Sequence, residues 1–108
     1  EASVIGISDG KRYRLRLRDI FYFEIVEGRS FLYCEDRVFE CRQKLYEFET
    51  LCRGSMLFRC SKSMILNTDK IACVRPSVSG RFEATLVNQE KVIISHQYVG
   101  ELKRMLGI

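Results

Sequence analysis

Along most of this chain apolar and polar residues alternate with a period of two, the spacing of half-buried strands. Residues 3–7 alternate weakly, and Asp9-Gly10 marks a tight turn. Residues 11–18 alternate regularly, with Tyr13, Leu15 and Leu17 on one face and Arg12, Arg14, Arg16 and Arg18 on the other. Residues 19–26 form a strongly apolar strand, and Glu27-Gly28-Arg29-Ser30 is its predicted turn. Residues 31–34 return, Glu35-Asp36-Arg37 turns again, and residues 38–41 continue what reads as a β-meander. At Gln43 the period changes. Leu45, Phe48, Leu51 and Cys52 are spaced for one helix face, with Lys44, Glu47 and Glu49 outside it, and Gly54 ends the helix. This short central helix is expected to cover the sheet.

Strand spacing resumes at Phe58, where Phe58 and Cys60 fall on one face and Arg59 and Ser61 on the other. The alternation breaks at Ser61-Lys62-Ser63, an exposed turn of small hydroxyls around one long cation. Met64-Ile65-Leu66 is a second apolar run, closed by Asn67. After a turn at Thr68-Asp69-Lys70 comes a strand over 71–74 that Pro76, the single proline, terminates. Residues 77–80 are a loop, and residues 82–87 and 91–94 make a hairpin through Asn88-Gln89-Glu90. Ser95 is a good N-cap for a C-terminal helix whose apolar face is Tyr98, Val99, Leu102, Met105 and Leu106, with Gly107 as its stop.

The length of 108 residues fits one domain with a single core, and 46% hydrophobic residues argue against disorder. The net charge of +4 is compatible with an anionic partner. No segment reaches the apolar length of a membrane span, and the start Glu1-Ala2-Ser3-Val4 has no signal-peptide pattern, so a cytoplasmic protein without membrane insertion is expected. With no initiator Met, the chain reads as a piece of a longer or trimmed protein. Its five cysteines (Cys34, Cys41, Cys52, Cys60, Cys73) are odd in number and lack C-x-x-C spacing. Neither a metal site nor a disulfide framework is signalled, and reduced thiols are expected. Cys60 lies near Arg59 and Lys62, neighbours that lower a thiol pKa, although its alternation points it inward. The chain carries no catalytic constellation and implies no cofactor. Its one histidine, His96, follows Ser95, a nucleophile dyad only if a pocket and an orienting carboxylate accompany it.

Three places offer polar groups on braced bends. Hydroxyls and cations at Arg59, Ser61, Lys62 and Ser63 suit phosphate oxygens and base edges. Arg29 and Ser30 offer the same pair of groups, and Ser95, His96 and Gln97 sit at a predicted helix start, where free N–H groups favour anions. Each is equally readable as an ordinary solvated turn. The arginine face of residues 12–18, running along roughly 20 Å, is either a track for phosphates or an acidic partner, or a solvated sheet face.

The stretch Phe58-Arg59-Cys60-Ser61-Lys62-Ser63-Met64-Ile65-Leu66-Asn67 resembles the F-x-R-x-H-R-S-x-x-V-N signature of LytTR DNA-binding domains. The likeness extends through Asp19-Ile20-Phe21-Tyr22-Phe23-Glu24, Leu45-Tyr46-Glu47-Phe48, Gly80-Arg81-Phe82, Ile93-Ile94-Ser95 and Tyr98-Val99-Gly100-Glu101-Leu102. It covers nearly everything from residue 18 to residue 106. The resemblance implies a mainly β fold of stacked antiparallel sheets, an elongated β sandwich with one short central helix and a C-terminal helix. It also implies a bacterial transcription regulator that inserts loops into successive major grooves of double-stranded DNA. Two protomers on paired direct repeats are implied as well. The matching positions are Arg29 and Ser30, then Ser61, Lys62 and Ser63, then Ser95, His96 and Gln97; of these and Arg59, the candidates for base or groove contact are Lys62, Ser61, Arg29, Ser30, His96 and Gln97, and those for positioning phosphate are Arg59, Ser63 and Ser95. The family's frequent His is Ser61 here, its frequent Arg is Lys62, and its frequent Arg after the C-terminal Ser is His96. Lysine is a point charge rather than a fork, which weakens guanine reading. Most of the family carries a phosphorylatable receiver; no acidic receiver pocket is present in this sequence, and Gln43-Lys44-Leu45-Tyr46 and residues 80–86 look more like the small stand-alone regulators of the group. The rival reading is a protein-interaction module using the arginine face of residues 12–18.

Overall fold

A computed structural model describes residues 2–108. Ten strands are present: β1 (Ser3–Ser8), β2 (Lys11–Arg16), β3 (Tyr22–Val26), β4 (Arg29–Tyr33), β5 (Val38–Cys41), β6 (Leu57–Arg59), β7 (Met64–Asn67), β8 (Ile71–Pro76), β9 (Phe82–Leu86) and β10 (Lys91–Ile94). Two helices accompany them, α1 (Leu45–Leu51) between β5 and β6 and α2 (Val99–Leu106) at the end. Seven strands form one antiparallel sheet in the order β2-β1-β5-β4-β3-β7-β6, and β10-β9-β8 form a second. The molecule is elongated, 40 × 24 × 24 Å.

The period-two alternation explains how one sheet serves two cores. On one face Phe39, Leu32, Phe23 and Ile65 line up across four strands and, with Val4 of β1, form a core with Phe48 of α1. There the Phe48 ring stacks on Phe23 with centroids 4.6 Å apart. On the opposite face Tyr22, Leu66 and Phe58 share a row and pack with Ala84, Leu86, Val92 and Ile94 of the second sheet and Leu102 of α2. The second sheet covers only the β3-β7-β6 side of that face. Its other half, formed by β2, β1, β5 and β4, carries exposed Ile5 and Val38.

The strand predicted over residues 11–18 stops at Arg16. Residues Leu17–Asp19 form a 3-10 turn that drops Leu17 into the core, so Arg18 leaves the arginine face while Arg12, Arg14 and Arg16 keep it. The apolar strand begins at Tyr22, three residues later than the pattern suggested. Pro76 does end its strand. Ser95 does not cap α2: residues His96–Tyr98 form a 3-10 turn, Ser95 makes no side-chain cap bond, and the α-helix starts at Val99.

Candidate nucleic-acid interface

Strand direction in an antiparallel sheet sends alternate connections to opposite ends. The β3–β4 turn and the β6–β7 loop therefore emerge at the same end. Two main-chain hydrogen bonds tie this end together. Ile25 N donates to Ser63 O at 2.9 Å, joining the β3–β4 hairpin to the β6–β7 loop. Ser95 N donates to Cys60 O at 2.9 Å, joining the same loop to the segment before α2. All three bends singled out in the sequence thus sit side by side.

The central loop is braced from within. Arg59 Nε donates to Ser61 O at 2.6 Å and its Nη2 to Lys62 O at 2.7 Å. The same guanidinium lies 5.8 Å over the Tyr98 ring and reaches Glu49 at 3.4 Å. Ser61 Oγ accepts from Ser63 N at 3.2 Å. With its carbonyls satisfied by Arg59, the loop presents the exposed Lys62 side chain outward, and among the described residues no carboxylate pairs with it. Ser61 and Ser63 are half-buried beside it. Cys60, at the loop's root, is fully buried, and burial pushes its thiol up to about 12, overriding the smaller opposing effect of Arg59. The lowered pKa that its cationic neighbours suggested is not found; all five cysteines are free, with Cys73 exposed.

At the β3–β4 bend the turn is shorter than the sequence suggested. Glu27 (φ 51°) and Gly28 (φ 77°) make it alone, and Val26 pairs directly with Arg29. Two successive positive φ angles give the primed turn that matches strand twist. Arg29 and Ser30 are therefore strand residues. Ser30 was expected on an exposed turn; it is buried, and its hydroxyl donates to Gln43 O at 2.6 Å. Arg29 is exposed and lies along the open sheet face, 5.5 Å over Phe31, with a two-pronged bond to Glu40 at 2.6 and 3.0 Å. That hydrogen bond holds the Glu40 carboxyl below its ordinary range.

In the third segment His96 and Gln97 are exposed and Ser95 is half-buried. Gln97 Nε2 donates to Tyr98 Oη at 3.3 Å. A Cβ on Gly80 would lie 2.6 Å from His96 Cδ2, so only a glycine lets the residue 78–80 loop lie this close to the imidazole. Among the described residues no carboxylate bonds His96, which leaves a Ser95–His96 dyad without an orienting partner, and no cluster of metal-ligating side chains is found.

Three residues at this end escaped the sequence reading. Tyr98 counted only as an apolar helix position, yet its ring supports Arg59. Gly80 was a loop residue with no visible reason to be glycine. Arg42, exposed just past β5, lines a shallow depression of about 260 Å³ with Ile5, Ile7, Arg12 and Gln43. Alternation continued one strand position beyond Cys41 was the available signal.

The model of the LytTr DNA-binding domain family matches residues 10–107. A curated relative, the sensory transduction protein LytT of Enterococcus faecalis, is 26% identical over 96 residues, which cover 89% of this chain and 40% of that protein. The chain thus spans less than half the length of that relative. Among solved structures, a LytTr DNA-binding domain from Bacillus cereus superposes with a TM-score of 0.91 at 22% identity, covering 100% of this chain and 99% of the other. The mainly β fold, with two antiparallel sheets and two helices, is the fold of that domain. Among the described residues no helix is long and apolar enough to cross a membrane.

Proposed function

This chain belongs to the LytTr DNA-binding domain family, and from that premise we propose that it binds double-stranded DNA sequence-specifically, in transcription regulation, through loops laid into the major groove. One observation carries the reading: three polar bends stand together at one end of the sandwich, with an exposed lysine at the tip of the central one. A rigid loop loses little freedom when it enters a groove, so its contacts are not offset by ordering.

In this reading Lys62 and Ser61 meet base edges from the central loop, Arg29 from the β3–β4 bend, and His96 and Gln97 from the third segment. Ser63 and Ser95 hold phosphate oxygens. Arg59 acts through the loop whose carbonyls it holds, and Ser30 by fixing the strand beneath Arg29. Both are positioning residues. Lysine at the tip gives a point charge without a fork, so base preference falls more on hydroxyls, His96 and the deformability of the duplex than on paired guanine contacts. Two copies on paired direct repeats, each with its three bends in the groove, make up the full complex.

The test is selection of bound duplexes from a random library, followed by gel-shift titration. Lys62→Ala is expected to weaken the selected duplex about tenfold, near the low end of the ~1–3 kcal/mol of a base contact, with an unchanged melting temperature. Equal affinity of the folded variant would remove Lys62 from the interface. A library that yields no enriched sequence would overturn the reading.

A further inference from the structure

The open half of the seven-stranded sheet carries a row of arginines that begins at the β3–β4 bend. Ile5 pairs with Arg14, and Ile7 with Glu40, so Ile5 stands level with Arg42. Ser30 pairs with Cys41, which sets Arg42 level with Arg29. Arg29, Arg42 and Arg14 therefore follow one another across four strands, β4-β5-β1-β2, with Ile5 between the last two. Three strand spacings of ~4.8 Å make the row roughly 14 Å long. Arg12 joins it from the next position, lining the same depression as Arg42, Ile5 and Ile7.

The row has the chemistry of a phosphate track. Arg12, Arg14 and Arg42 are exposed and, among the described residues, have no carboxylate partner. Glu40, level with Ile7 on the same face, is already bonded to Arg29. The row's place matters as much as its charge. Arg29 flanks the turn at the end where the three bends gather, and the row leads away from that end's far side, opposite to His96. A duplex carries one charge per ~1.7 Å of its axis, so a line of this length passes several phosphates.

We propose that Arg14 and Arg42, on the open sheet face, grip the phosphate backbone of the duplex beyond the β3–β4 bend and so lengthen the footprint past the groove-reading loops. This rests on the DNA-binding reading above and adds a surface that reads no bases. The short apolar side chains of Ile5 and Ile7 between the arginines leave the guanidiniums free to lie against the sugar–phosphate edge.

The test uses the selected duplex and the double variant Arg14→Gln/Arg42→Gln. The salt slope of log affinity, for each bound copy, is expected to fall by roughly 1.8, about 0.9 for each phosphate released, while the selected sequence and the melting temperature stay as in the wild type. Each single variant is expected to give about half of that change. On a duplex cut down to one of the two repeats, shortening it from one end, and from that end alone, brings wild type and double variant to the same affinity. An unchanged slope in a double variant that melts normally, while Lys62→Ala still weakens binding, overturns the inference and leaves the DNA-binding reading standing. A wild-type chain that enriches no duplex sinks both.

Discussion

The loop at residues 60–63 and the turn at residues 27–28 are neighbours, joined through Ile25 N and Ser63 O, yet they use the same residue types in opposite ways. In the loop an arginine turns inward. Arg59 spends its guanidinium on Ser61 O, Lys62 O and Glu49, and the cation left for solvent is the lysine it frames. At the turn the arginine lies outward against Glu40 while the serine beside it is buried on Gln43 O. The first bend is stiff because its charge is internal. The second keeps its charge outside and draws its stiffness from a two-residue turn and one buried hydroxyl. What a side chain does here is decided by the sheet face it falls on.

Removing the internal arginine separates the two most sharply. Arg59→Ala leaves two loop carbonyls without donors and is expected to lower stability by about 1–3 kcal/mol, measured by urea unfolding. It should also weaken the selected duplex more than Lys62→Ala does, because the whole loop loosens. If loop and turn were held alike, both losses would be small. Ser30→Ala tests the turn side. It removes the donor to Gln43 O and is expected to cost about 1 kcal/mol, with a loss of affinity smaller than that of Arg59→Ala. Glu40→Gln gives the smallest effect and the opposite sign. It releases an exposed arginine, so duplex binding should tighten a few-fold at low salt, with the melting temperature unmoved. Tighter binding that persists at high salt would contradict a purely charge-based release.

Much of this architecture could be read from alternation. The strand faces around Phe23, Leu32 and Phe39, the helix seated on Phe48 and the two buried segments that flank residues 61–63 all follow from which positions are apolar. The failures share a physical cause. Ser30 was misplaced because glutamate rarely takes a positive φ, so the turn read as four residues rather than two. A one-residue slip in register moves a side chain to the other face. Arg18 was misplaced because nothing in an alternating run announces that Leu17 will leave the strand to fill the core. At Ser95 the residue type was right for a cap, but Tyr98 N bonds Ser95 O at 2.8 Å, a tight 3-10 closure that precedes the α-helix. Tyr98 under Arg59, and Gly80 beside His96, are contacts between segments far apart in sequence, which local periodicity does not encode.

The two main-chain bonds that stitch the three bends together have a calorimetric consequence. In the DNA-binding reading, bends already joined in this way enter the groove without first having to fold. The heat-capacity change on association should then scale with the area covered, without the added share that accompanies coupled ordering of a loose segment.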